Sequence, residues 1–112
     1  MVTVGKGQSG QNLTVREGDT IQIELPGTGG TGYGWHLDNL DSRFLKPIAE
    51  ETERLSRDGK IGAPVMRLWR FKRQMTGRTE INMAYYRPWE GVGQAADHFS
   101  ISIHIVKRRI ET

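Results

Sequence analysis

One hundred and twelve residues, 12.7 kDa, read as one domain spanning residues 1–112, since domains commonly take ~100–200 residues. With 36% hydrophobic and 26% charged residues the chain has a globular composition, which excludes a disordered or fibrous protein. Sixteen Lys and Arg against thirteen Asp and Glu give +3, mildly basic and without the cationic blocks of a nucleic-acid tail.

The absence of cysteine excludes a disulfide framework, a thiolate zinc site, an iron–sulfur cluster and a cysteine nucleophile. Three histidines, His36, His98 and His104, are few for a metal site, so no metal and no cofactor are expected. No apolar run approaches the ~20 residues of a membrane-spanning helix. The opening Met1-Val2-Thr3-Val4-Gly5-Lys6-Gly7 has no apolar core of a signal peptide.

Taken in chain order, the elements are short and alternating. Leu13–Val15 is a brief strand, and Glu17-Gly18-Asp19 is the turn that follows it. Thr20–Leu25 places Ile21, Ile23 and Leu25 on one face and Gln22 and Glu24 on the other. Trp35–Leu37 is another short strand. The stretch Asp38–Leu55 reads as irregular, with one turn around Leu40, Phe44, Leu45 and Ile48, and Pro47 opposing a long helix. Val65–Lys72 sets Trp69 and Phe71 against Arg70 and Lys72. Thr79–Tyr86 sets Ile81, Met83 and Tyr85 against Glu80, Asn82 and Ala84. His98–Val106 alternates Phe99, Ile101, Ile103 and Ile105 with His98, Ser100, Ser102 and His104. A period of two with β-branched and aromatic enrichment marks half-buried strands. About seven such strands and no useful helical period predict an all-β, immunoglobulin-like antiparallel sandwich.

Three connections are less ordinary. Leu25–Trp35 holds five glycines in eleven residues and closes on Tyr33 and Trp35. Glycine gives positive φ and lets backbone approach another surface closely. On composition alone the segment reads as a flexible hairpin loop whose Tyr33 and Trp35 begin the next strand. Its Gly-x-Gly-x-x-Gly spacings are not a dinucleotide fingerprint, because no helix follows. The second connection is Asp58–Val65, which leads into a strand. The third is Tyr86-Arg87-Pro88-Trp89-Glu90-Gly91-Val92-Gly93, where Pro88 ends the strand and carries Trp89 into a turn. Trp89 is there either an exposed binding residue beside an arginine or a plug over the end of the sandwich.

In this order, the three loops resemble those of the chagasin-like inhibitors of cysteine proteases. Leu25-Pro26 leading to Thr31-Gly32-Tyr33-Gly34-Trp35 is similar to the family's Asn-Pro-Thr-Thr-Gly-Tyr-x-Trp. Gly62-Ala63 stands where the family has Gly-x-Gly-Gly, with Trp69-Arg70-Phe71 following at the family's spacing. Gly77-Arg78-Thr79-Glu80-Ile81 matches its glycine turn and next strand, and Tyr86-Arg87-Pro88-Trp89-Glu90 its Tyr-x-Arg-Pro-Trp-Glu. The likeness runs from about Thr14 to Val106. Two departures are visible. Thr28-Gly29-Gly30 stands for Asn-Pro-Thr, and Pro64 and Val65 for two glycines.

The resemblance implies an immunoglobulin-like fold and a reversible, non-covalent, competitive inhibitor with no catalysis of its own. Three loops at one end of the sandwich would enter the cleft of a papain-like cysteine protease. Carried over residue by residue, Thr31 and Gly32 sit closest to the catalytic cysteine, with Gly30 beside them. Tyr33 and Trp35 brace the loop base. Arg87, Pro88, Trp89 and Glu90 lie along one side of the cleft, and Gly62, Ala63 and Pro64 along the other. The resemblance also favours a periplasmic or secreted protein whose leader has been removed.

Two readings compete with it. One is an immunoglobulin-like adhesion or assembly module that has lost inhibition. The other is a nucleic-acid binder built on Arg67–Arg73, where basic residues interleave with aromatics. The alternation opposes the latter, since it turns Trp69 and Phe71 inward and leaves Arg70 and Lys72 as a solvated face. Neither nucleic acid nor membrane is an expected partner, and nothing demands more than a monomer.

Overall fold

A computed structural model describes residues 1–55 and 62–107, and among these the only regular elements longer than a single turn are eight strands. They are β1 (Val2–Gly5), β2 (Asn12–Arg16), β3 (Thr20–Thr28), β4 (Gly34–Asp38), β5 (Leu45–Arg54), β6 (Pro64–Arg73), β7 (Gly77–Tyr86) and β8 (Asp97–Val106). They form two four-stranded sheets, ordered β1-β3-β6-β5 and β2-β8-β7-β4. The pairings are antiparallel except at one edge of each sheet, where β1 runs parallel to β3 and β2 parallel to β8.

The alternation read from the sequence is the alternation of burial. Ile21, Ile23 and Leu25 of β3, Trp69 and Phe71 of β6, Ile81 and Met83 of β7, and Phe99, Ile101, Ile103 and Ile105 of β8 fill the space between the sheets. Each such side chain contributes about 1.5–3 kcal/mol by leaving water. The sandwich is held mainly by this layer.

Two strands escaped the sequence reading. β5 lies in the stretch expected to be irregular, although it is ten residues long. It is an edge strand paired only to β6, so most of its side chains are exposed and polar and no clean apolar alternation marks it. Pro47 is tolerated because an edge strand leaves one row of backbone donors unused. The register slips between Pro47 and Ala49, a bulge that turns Ile48 out to solvent. β1 has only Val4 fully buried, too little for a period to show.

The inward face of β6 carries charge at both ends. Arg73 is 4% exposed, and its Nε donates to the Asp19 carbonyl at 2.6 Å with the Asp19 carboxylate 3.5 Å from Nη2. Burial holds its pKa below the ordinary arginine value. At the other end Arg67 donates to Glu50 and Thr52 of β5 and lies over the Trp69 ring. Ahead of β5, Asp41 accepts from the Arg43 backbone N–H at 3.0 Å and from its guanidinium at 3.1 and 2.8 Å. The hydrogen bond from the Arg43 side chain is the main reason the Asp41 carboxyl sits below its usual pKa.

Chain direction then decides what meets at each end. β3, β5 and β7 run toward one end, and β4, β6 and β8 leave from it. The β5–β6 connection closes a hairpin within one sheet and the β7–β8 connection closes a hairpin within the other. The β3–β4 connection crosses from the first sheet to the second at the same end, and so passes between the two hairpin loops. The glycine-rich segment is that crossing.

Candidate functional site

The crossing loop is fastened on both sides. Toward the β5–β6 hairpin, Gly29 N–H donates to the Ala63 carbonyl at 2.8 Å and Gly62 N–H donates to the Gly29 carbonyl at 2.6 Å. These two bonds carry the β3–β6 ladder one step beyond its last pair, Thr28 with Pro64. Gly62 has φ +86, a conformation that a residue with a Cβ adopts only with strain. Residues 58–61 of the expected second loop lie outside the described residues. Gly62, Ala63 and Pro64 lie at the loop end, with Gly62 and Pro64 exposed.

Toward the β7–β8 loop the fastening is through Arg87. Its Nε donates to the Thr31 carbonyl at 3.0 Å, its guanidinium carbon lies 4.4 Å from the Tyr33 ring centroid, and Nη1 is 3.7 Å from Glu90 Oε1. One arginine thereby ties the backbone of the first loop to an aromatic of that loop and to an acid of the third. A planar guanidinium can make all three contacts at once, which a lysine ammonium cannot.

Trp89 is 73% exposed, which answers the question the sequence left open. Although largely open to solvent, it does not float free. An added Cβ on Gly32 would fall 2.2 Å from Trp89 Cη2, so the indole lies directly on the backbone of the first loop. Gly32 also has φ +83. Both the close approach and the left-handed backbone require glycine at this one position.

The base of the loop is aromatic. Trp35 is 5% exposed and its indole N–H donates to the Pro26 carbonyl at 2.9 Å. Tyr33 stacks on Tyr85 at 5.3 Å, and Trp35 is tilted against Tyr85 at 5.0 Å. Burial prevents Trp35 from reaching a partner directly. Its hydrogen bond instead joins the two ends of the crossing loop.

The sequence-predicted residues therefore converge. Gly30, Thr31, Gly32, Arg87, Pro88, Trp89 and Glu90 gather with Gly62, Ala63 and Pro64 at one end of the sandwich, above Tyr33 and Trp35. Two residues outside that set belong to the same assembly. Tyr85 Oη receives the Thr28 N–H at 3.1 Å and lies 3.1 Å from Thr28 Oγ1, which in turn is 3.0 Å from Thr31 Oγ1. The signal for Tyr85 was available. An inward-facing tyrosine at the last turn of a strand has a hydroxyl that needs a partner.

Among the described residues the histidines lie apart from one another: His36 is tilted against Tyr86 at 4.3 Å, while His98 and His104 lie on the outward face of β8. What the end offers is a narrow backbone ridge of small residues flanked by one broad aromatic.

The chain is similar to known proteins. The model of the chagasin family of peptidase inhibitors, I42, matches residues 14–103. Chagasin of Trypanosoma cruzi is 27% identical over 101 residues, covering 88% of this chain and 92% of that protein. The crystal structure of the cysteine protease inhibitor EhICP2 from Entamoeba histolytica superposes with a TM-score of 0.83 at 23% identity, over 94% of this chain and 95% of that one. PbICP-C, solved in complex with falcipain-2, superposes with a TM-score of 0.66 at 17% identity, over 96% of this chain and all of that one.

Proposed function

The chain belongs to the chagasin family of peptidase inhibitors, and we propose that its three-loop end blocks the active-site cleft of a papain-like cysteine protease. It is an inhibitor of cysteine proteases and not an enzyme. The observation that carries the proposed mechanism is the crossing loop between two hairpins, fastened by Gly29–Ala63 on one side and by Arg87–Thr31 on the other.

Cleavage requires a substrate carbonyl in line with the nucleophile and within reach of the oxyanion donors. A loop held from both flanks can fill the cleft with its backbone off that line and so resists being cut. Gly30, Thr31 and Gly32 form the ridge that meets the catalytic cysteine. Glycines at 30 and 32 keep the ridge slim enough to enter. Trp89 lies along one wall and supplies large, rigid contact area at low entropic cost. Arg87, Pro88 and Glu90 shape that side, and Gly62, Ala63 and Pro64 shape the other. Tyr33 and Trp35 act from below, holding the ridge. The interface buries on the order of 800 Å² per partner.

Residues 1–112 act as one inhibitory domain. The family match within 14–103 and the pairing of β1 with β3 support this reading. The complex of PbICP-C with falcipain-2 supports a protease as the partner. Titration of active-site-titrated papain with a fluorogenic peptide tests the mechanism. Competitive inhibition at nanomolar to low micromolar concentration, with the inhibitor band intact afterwards, is the expected result. Absence of inhibition at tens of micromolar would instead favour an assembly module built on the same sandwich.

A further inference from the structure

We infer that Tyr85, a residue of the sandwich face and not of the ridge, is the positioning residue that sets the first loop in its inserting shape. The inference rests on the wedge mechanism proposed above and adds to it the part that orders the wedge.

A segment with glycines at 27, 29, 30, 32 and 34 has little intrinsic reason to hold one shape. Its order must come from outside. The fastenings at Gly29 and Thr31 fix the flanks, yet both are made to neighbouring loops. Tyr85 is different, because it stands on β7, paired to Trp35 of β4 and Asp97 of β8. From this fixed platform its hydroxyl reaches Thr28 N and Thr28 Oγ1, both at 3.1 Å, and Thr28 Oγ1 passes the contact on to Thr31 Oγ1 at 3.0 Å. Thr31 Oγ1 is in turn 3.4 Å from the Thr28 carbonyl and from the Tyr33 N–H.

One phenol thus anchors a hydroxyl chain that closes the loop across its own neck, from Thr28 to Thr31 to Tyr33. The ring of Tyr85 carries the Tyr33 ring on its face and abuts the position of a Gly27 Cβ at 3.6 Å from its oxygen. The chain holds its ridge by hydrogen bonds at the points where Thr28, Gly29 and Gly30 give no stiffness of their own.

A loop ordered before binding loses less freedom on binding, and a loop ordered only part of the time binds with its affinity reduced by that fraction. Tyr85→Phe keeps the ring and its stacking and removes the hydroxyl alone. Losing this anchor lowers the ratio of the inserting shape to the other shapes of the loop about tenfold, taking the Thr28 bonds at their usual net strength, and lowers the inserting population by up to that factor. The loss falls on association with the protease, because the ridge atoms that touch it are unchanged.

The test has two arms. In the free protein, amide hydrogen exchange at Thr28 and Tyr33 should speed up in Tyr85→Phe while the amides of β3 and β8 keep the parent's rates. Against papain, the inhibition constant should rise severalfold, up to about tenfold, through slower association, and a cycle with Thr28→Val should give a double variant weaker by less than the product of the two single effects. Unchanged exchange at Thr28 overturns the proposal. So does a parent-like inhibition constant in a variant with faster exchange, or a fully multiplicative cycle. If exchange rises in step across the sheets, Tyr85 is a general packing residue and the proposal is also overturned. A parent protein that fails to inhibit papain refutes the wedge mechanism, and with it any part for Tyr85 in inhibition, whatever exchange shows.

Discussion

Gly32→Ala separates the loop end from the body of the fold. The added methyl carbon would stand 2.2 Å from Trp89 Cη2, 3.0 Å from Cζ2 and 3.2 Å from Cζ3. Carbon atoms in contact prefer ~3.5–4.0 Å, so the indole must retreat by about 1.5 Å. It can do so freely, because it is largely exposed and nothing behind it needs to move. The stability cost therefore comes from the backbone, where φ +83 costs a residue with a Cβ about 1–2 kcal/mol. For a domain of this size that lowers the melting temperature by roughly 3–12 °C.

The effect on inhibition is larger. Trp89 is dislodged from its seat and the ridge gains a side chain at its tip. Loss of a central aromatic contact is worth about 2 kcal/mol or more, so the inhibition constant should rise at least ~30-fold. Thermal denaturation and papain titration on the same preparation read the two effects separately. Gly77→Ala is the control, since its Cβ would lie 2.6 Å from Phe44 Cε1 at φ +139, at the far end of the sandwich. It should lower the melting temperature and leave inhibition as it was. A Gly32→Ala protein that inhibits within about threefold of the parent refutes the placement of the ridge and of Trp89 in the cleft.

Three further outcomes are expected. Trp89→Ala should weaken papain inhibition about 30- to 1,000-fold with no fall in melting temperature, because the side chain is mostly solvent-exposed; a loss of stability matching the loss of inhibition would make it a structural plug. Phe71→Ala, at a fully buried position, should cost about 3–5 kcal/mol in urea unfolding, a large share of the ~5–15 kcal/mol that holds such a domain. A cost below about 1 kcal/mol would place the core elsewhere. The Asp41 carboxyl, lowered chiefly by the Arg43 side-chain hydrogen bond, contributes stability that is fully present above its unfolded pKa and is lost as pH falls through the folded value. Asp41→Asn should therefore lose that small contribution at neutral pH and match the parent below the folded value, which flattens the acid limb of the stability curve. An unchanged acid limb would show that the Asp41–Arg43 contact is not made in solution.

The sequence by itself determined the strands that bury a whole face. Ile21, Ile23 and Leu25, or Phe99 through Ile105, alternate so regularly that only one face of a strand can be buried, and side-chain periodicity is a local property. It also determined the motifs of the three loops, because tight backbone and a terminated strand are written in glycine and proline. Two of the four edge strands, β1 and β5, were not determined in this way. β5 makes half the pairings of an inner strand and buries almost nothing, so its sequence carries charge where a central strand carries a pattern.

Only the tertiary structure decided how the loops meet. No local property of Thr28 says that its N–H will find the hydroxyl of a residue 57 positions away, or that Gly32 is glycine because an indole lies on it. These contacts arise from chain direction and sheet order, which bring the β3–β4 crossing between two hairpins. That placement also leaves Trp89 exposed, a position the sequence did not decide. The residues of the ridge were legible because glycine, threonine and tryptophan mark themselves. The hydroxyl chain that holds it was legible only to the extent that an inward-facing tyrosine needs a partner for its hydroxyl; that the partner is Thr28 only the fold decides.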